Sequence, residues 1–188
     1  MKIQANTIRP GNVIEHNGKQ YNVLKIQLLQ PGKGSAFIHV EMRDNRSGVK
    51  TNERFRTSES VEKLEVHEQA CTLLYTEDDQ LTLMNTDTYD QFTVDRGMAG
   101  EAAVFLSDGM TLTVDLVEGT PAAVRLPPTV SLTVAEADAV VKGQTASSSY
   151  KPAVLENGVK VMVPPHIEAG TRIVVNTTDS SYVERAKD

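Results

Sequence analysis

The chain has 188 residues, enough for one core or for two or three small β domains, and 39% of them are hydrophobic, which excludes disorder throughout. No stretch approaches the ~18 apolar residues of a membrane span, and the polar start with Pro10 lacks the apolar run of a signal peptide. The net charge of −6 speaks against nucleic acid as a partner until it is resolved along the chain: residues 1–65 carry 11 Lys and Arg against 7 Asp and Glu, residues 66–127 only Arg96 and Arg125 against 11 acids, and residues 128–188 6 bases against 7 acids.

Helical periodicity is almost absent, and short alternating runs separated by turn signals predict an all-β protein. Residues 13–15 lead into Asn17-Gly18, a pair that suits a type I′ hairpin because both residues tolerate positive φ. Residues 20–30 then read as one long strand and 36–42 as its return partner. A turn at 44–48, a strand at 49–55 and a break at 58–60 complete a small barrel. A second unit starts near Val66, with strands at 71–75, 81–84 and 92–94 and a turn at 77–80. Residues 97–105 place small and apolar residues at helical spacing and are the one expected helix, followed by a hairpin turn at Asp108-Gly109 and a strand at 112–117. Pro127-Pro128 ends pairing and stiffens a linker. In the third unit 130–134 is a strand, 142–151 a Gly/Ser-rich exposed loop, and 153–155, Asn157-Gly158 and 160–163 a hairpin, with last strands at 173–176 and 182–183. The expected domains are therefore 1–64, 65–127 and 128–188, the second and third patterned like five-stranded oligonucleotide-binding barrels.

Catalytic constellations are poor. His16, His39, His67 and His166 lack metal-ligand spacing, Asp78-Asp79 reads as a solvated turn, and neither a Gly-x-Ser-x-Gly elbow nor a Cys–His arrangement is present. Cys71 is alone, so no intrachain disulfide can form; it reads as a buried structural thiol, and a reducing cytoplasm is the expected setting. No cofactor or metal is expected. The most unusual local feature is Pro31-Gly32-Lys33-Gly34: Pro31 closes the preceding strand, and two glycines leave Lys33 isolated at a hairpin apex. A phosphate-binding loop is excluded by the spacing and by the absence of a following helix pattern. A bare ammonium on a long hairpin suits an RNA cavity, as does the basic first third, whereas the acidic middle should face solvent or a basic protein.

These residues resemble the bacterial elongation factor P family. The tip Pro31-Gly32-Lys33-Gly34, followed by Ser35-Ala36-Phe37, is similar to the family's lysine loop. Lys151, Ala153, Gly158, Val161, Val163, Pro164, Ile167 and Gly170 stand at the spacing of its C-terminal signature, and Tyr182-Val183-Glu184-Arg185 resembles its terminus. One departure is Gly143-Gln144-Thr145, where the family usually carries Gly-Asp-Thr and approaches the messenger; Gln144 can hydrogen-bond to bases but lacks the carboxylate. The resemblance implies a KOW/SH3-like barrel followed by two OB-fold barrels in an L shape that mimics transfer RNA. It implies a non-catalytic factor that binds between the peptidyl and exit sites and relieves stalling at consecutive prolines. Lys33 would be extended by a modifying enzyme. Gly143, Gln144, Thr145, Tyr182 and Arg185 are candidate RNA contacts, and the ribosome with its RNA and proteins, peptidyl-tRNA and the modifying enzyme are the implied partners. The alternatives are a generic OB-fold RNA-binding protein, for which 5 Tyr, 4 Phe and no Trp make a thin stacking face, and a diverged paralogue of the family.

Overall fold

The computed structural model describes residues 1–139 and 149–187. Among these residues the regular structure is strand with short 3₁₀ turns, and the strands form three sheets in which every pairing is antiparallel.

The first sheet holds β1 (Lys2–Gln4), β2 (Val13–His16), β3 (Lys19–Leu29), β4 (Phe37–Asp44), β5 (Lys50–Arg56) and β6 (Ser60–Leu64), in the order β1-β6-β2-β3-β4-β5. Asn17 and Gly18 have φ of 52° and 76°, the positive pair that lets two residues close β2 on β3. Along β4 the period of two is clean: Ile38, Val40, Met42 and Asp44 are buried, while Phe37, His39, Glu41 and Arg43 lie on the other face. The inward set packs with Ile8, Ile14, Tyr21, Val23, Phe55 and Val61 into one apolar core. Neither β1 nor β6 is expected from the sequence. Three and five residues are too short to show an alternation, and their pairing is long-range, Lys2 opposite Glu62 and Val13 opposite Leu64.

The second sheet runs β11-β10-β7-β8-β9, with β7 (His67–Glu77), β8 (Gln80–Asn85), β9 (Gln91–Asp95), β10 (Thr111–Val117) and β11 (Thr120–Arg125). Its interior is Cys71, Leu73, Leu81, Leu83, Leu112 and Val114, each at most 1% exposed. The helix expected at 97–105 does not form. Arg96–Phe105 consists of short 3₁₀ turns interrupted at Gly100, whose φ of 62° and ψ of −143° lie outside any helix. Only glycine adopts that conformation freely, so the residue that looks like helix filler is the break. Consequently Asp108-Gly109 does not turn a hairpin; it joins the 3₁₀ segment to β10, whose partners are β7 and β11.

The third sheet runs β14-β13-β12-β15-β16, with β12 (Thr129–Ala137), β13 (Lys151–Leu155), β14 (Lys160–Val163), β15 (Arg172–Asn176) and β16 (Tyr182–Arg185). Val161 and Val163 point inward and Met162 outward, and Pro164 follows the last residue of β14. The inward residues join Phe105, Val134, Ala153, Leu155, Ile167, Ile173 and Val175 in one core. Most of the loop expected at 142–151 lies outside the described residues; Tyr150 is exposed and Lys151 opens β13.

The chain divides into two compact units, Met1–Gly100 with Thr111–Arg125, and Glu101–Met110 with Leu126–Asp188. Within the first unit the two sheets are joined as well as linked. Val13, Val117 and Ala122 are buried against one another with Leu64 and Val66 packed on them, and Asn22 Nδ2 donates to the Ala122 carbonyl at 2.9 Å. Within the second unit Asn157 Nδ2 donates to the Val104 carbonyl at 2.9 Å, and Thr177 Oγ1 donates to the Pro127 carbonyl at 2.7 Å. Among the described residues no helix is long and apolar enough to cross a membrane.

Candidate functional site

The hairpin of β3 and β4 carries the lysine tip. Its register runs from Tyr21 opposite Asp44 to Leu29 opposite Phe37, with one bulge between Val23 and Lys25. Eleven residues of β3 extend roughly 36 Å at ~3.3 Å each. The core ends at the Leu28–Ile38 pair: Ile38 is 1% exposed and Leu28 53%. Beyond it Gln30, Pro31, Gly32, Lys33, Gly34 and Ser35 are all exposed. The base of the loop is held where the Thr57 N–H donates to the Ala36 carbonyl at 3.2 Å.

The two glycines differ. Gly34 has φ of +113°, a conformation L side chains rarely adopt, whereas Gly32 lies outside the positive-φ region; a Cβ at either would meet nothing within 4 Å. Gly34 is thus required by the backbone of the loop itself, and Gly32 is not. Together with Pro31, which fixes φ, they present Lys33 free of neighbouring side chains.

Below the tip the outer face of the hairpin and of β5 is basic. Arg54 lies opposite His39 and Arg56 opposite Phe37, and the Arg54 guanidinium carbon sits 3.7 Å above the centre of the Phe37 ring. Lys25 and Gln27 continue this face on β3 opposite Glu41 and His39. The sequence reading missed this arrangement. Its signal was the alternation Lys50, Asn52, Arg54, Arg56, which puts polar and basic groups on one side of a strand whose other side carries Phe55. His16 instead turns to Glu53 at 3.7 Å and packs edge-on to Phe55.

Tyr182 and Arg185 share β16 in the second unit. Tyr182 is partly buried against the third core and meets Tyr150 edge-to-face at 6.3 Å, while Arg185 is exposed opposite Ile173. Burial, followed by the nearby Tyr150 hydroxyl, pushes the Tyr182 phenol upward, so it stays a neutral donor at physiological pH. Gly143, Gln144 and Thr145 lie outside the described residues. Elsewhere Cys71 is fully buried and desolvation raises its thiol, which makes it inert. Among the described residues no three His, Cys, Asp or Glu side chains converge as a metal site would require.

Three family models match successive parts of the chain: an elongation factor P KOW-like domain over residues 4–61, an elongation factor P OB domain over 66–124, and an elongation factor P C-terminal model over 130–185. The elongation factor P of Rhodospirillum rubrum is 63% identical over 187 residues and that of Acidiphilium cryptum 60% over 187, each match covering 100% of both chains. Among solved structures, the eukaryotic translation initiation factor 5A from Methanococcus jannaschii is 20% identical with a TM-score of 0.49, the match covering 64% of this chain and 90% of that one. The all-β architecture of a KOW-like domain followed by OB-type domains is that of the family models, and the full-length relatives leave no part of the chain unmatched: it belongs to the elongation factor P family.

Proposed function

We propose that this chain, a translation elongation factor by family, binds the ribosome between the peptidyl and exit sites and brings Lys33 to the peptidyl-transferase centre, where it promotes peptide-bond formation at consecutive prolines. The observation that carries the reading is the exposed Lys33 between two glycines at the end of the β3–β4 hairpin. The chain is not an enzyme in this scheme. Proline is a cyclic secondary amine that attacks the peptidyl ester slowly, and a finger that holds the acceptor end of peptidyl-tRNA in productive geometry lowers the entropic part of the barrier. A tenfold gain in rate needs only about 1.4 kcal/mol, which positioning alone supplies, with the ammonium ordering nearby phosphates and water.

A modifying enzyme extends Lys33 by an amide-linked group, reading a tip in which Pro31, Gly32 and Gly34 keep other side chains away. Three domains, 1–64, 65–127 and 128–188, are the working division, supported by the three sheets and by three successive family-model spans, with residues 101–110 as the segment that packs elsewhere. The third domain meets the messenger or ribosomal RNA through Tyr182, Arg185 and the sequence Gly143-Gln144-Thr145. The acidic second sheet faces solvent or a basic ribosomal protein, and the work takes place in the cytoplasm. The test is translation of two reporters, one with consecutive prolines and one without, in a reconstituted system with factor purified from its own cells. Lys33→Ala is expected to abolish the gain on the proline reporter alone, and Lys33→Arg to fail almost as badly, because a planar guanidinium cannot take the same amide extension. Full activity of Lys33→Ala would remove Lys33 from the mechanism.

A further inference from the structure

Stacking on an aromatic ring occupies the flat face of a guanidinium and leaves its N–H donors unused, because all five lie in the guanidinium plane. Arg54 is in that state: its carbon is 3.7 Å above the Phe37 ring, and Phe37 is the first residue of β4, directly after the lysine loop. The ring restricts the arginine rotamers, so less freedom remains to be lost when a ligand is bound. Arg56 stands beside it on the same face of β5, across from Phe37 itself; the exposed His39 lies on the adjoining β4, and Lys25 lies one strand further on β3, opposite Glu41. Among the described residues neither Arg54 nor Arg56 forms an ion pair with a carboxylate. A pre-oriented planar fork, without an ion-paired carboxylate and with Arg56 beside it, matches a phosphate, whose two oxygens accept parallel hydrogen bonds in the guanidinium plane.

We propose that Arg54, held by Phe37, grips one backbone phosphate of RNA in a bidentate manner and so sets the register at which the Lys33 finger lies along that RNA. Arg54 is a positioning residue: it touches no reacting group and acts through the placement of Lys33. The inference rests on the reading that this unit meets RNA on the ribosome, and it adds which residue fixes the contact and why arginine rather than lysine stands there.

The experiment compares full-length wild type with Arg54→Ala, Arg54→Lys and Phe37→Leu in binding to bacterial 70S ribosomes carrying initiator tRNA in the peptidyl site, over a series of salt concentrations. Thermal unfolding of each variant verifies the fold. Arg54→Ala is expected to weaken binding about tenfold, the scale of a charge-assisted bidentate contact, and to reduce the slope of log affinity against log salt by about 0.7–0.9, the value for one phosphate released. Arg54→Lys and Phe37→Leu keep the charge and are expected to keep the slope while losing affinity several-fold, because the fork or its support is gone. Wild-type affinity in Arg54→Lys overturns the bidentate contact even if Phe37→Leu proves unstable. Weaker binding by Arg54→Ala with an unchanged slope shows that Arg54 meets a protein carboxylate, which also overturns it. If all three variants bind normally while the intact chain remains strongly salt-dependent, Arg54 is the wrong residue and the RNA reading stands. If the intact chain shows no salt dependence, the RNA reading itself fails.

Discussion

Alanine substitution at the two tip glycines should have opposite effects on stability, although the residues are two apart in one loop. Gly34 has φ of +113° and Gly32 lies outside the positive-φ region, and a Cβ meets nothing within 4 Å at either position, so sterics with the rest of the chain cancel from the comparison. Each substitution removes unfolded-state freedom and on that account stabilises by about 0.4–1 kcal/mol. Gly34→Ala alone forces a side chain into a sparsely populated backbone region, at about 1–3 kcal/mol. The unfolded-state contribution is common to both, so the gap between the variants equals the strain, about 1–3 kcal/mol, with Gly32→Ala at or above wild-type stability and Gly34→Ala below it. Urea unfolding of the two proteins in parallel, with slopes checked for equality, measures that gap. A Gly32→Ala protein as unstable as Gly34→Ala would refute the assignment of different roles to the two glycines. If the order holds, Gly34→Ala should also depress the proline reporter at temperatures where it remains folded, because a loop that escapes the strain no longer aims Lys33.

Asp44 is held below the usual carboxylate range, first by the Arg46 N–H donating to its Oδ1 at 2.8 Å and then by Ser47 and Lys19, against the opposing effect of its own burial. A depressed folded-state value means that this stabilisation is present above the unfolded value of about 3.9 and disappears as pH falls through the folded one, so Asp44→Asn should flatten the acid side of a stability–pH profile followed by urea midpoints. Arg125 reaches Asp115 with two N–H bonds at 3.0 and 2.8 Å and Glu68 at 2.7 Å. Asp115 is only 8% exposed, so Arg125→Ala should cost about 1–3 kcal/mol by leaving a buried carboxylate unpaired, and adding Asp115→Ala should restore part of it in a double-mutant cycle. Ile173, fully buried in the third core, should cost about 2–5 kcal/mol when replaced by alanine, read as a lower unfolding midpoint.

Local chemistry was legible where a residue acts through its own backbone. Asn17-Gly18 gave the first hairpin, the isolated Lys33 gave the tip, and alternation gave β4 and β14. Part of what stayed hidden is local, since β11 turns back on β10 through Glu118-Gly119 and was not expected, but much of it depends on partners far along the chain. The strands β1 and β6 exist because each completes the other's hydrogen bonds across about sixty residues, and three residues carry no period to detect. Apolar residues at 98, 99, 102, 103 and 105 imitate a helix, but one dihedral at Gly100 decides against it, and a glycine in a sequence does not announce its φ. For the site, the basic alternation of β5 was in plain view. Its pairing with Phe37 was not, since it follows from the register across the β4–β5 turn, which Gly48 and the Asp44 side chain set.

Residues 101–110 belong with the unit whose other residues begin at Leu126, yet they precede β10 and β11 in the chain. Synthesis therefore delivers Phe105 before any of the strands that bury it, and the second sheet is complete while that ring still lacks Val134, Leu155 and Ile173. The nascent protein must carry an apolar side chain uncovered through roughly seventy further additions, a delay of several seconds at about 5–20 residues per second. The same threading bears on genetic dissection. A gene cut after codon 125 yields a first unit burdened with an orphan segment, and one begun at codon 126 yields a β-sheet with a hole where Phe105 belongs. Separate expression of the two units requires replacing 101–110 by a short turn in one and grafting that segment onto the other.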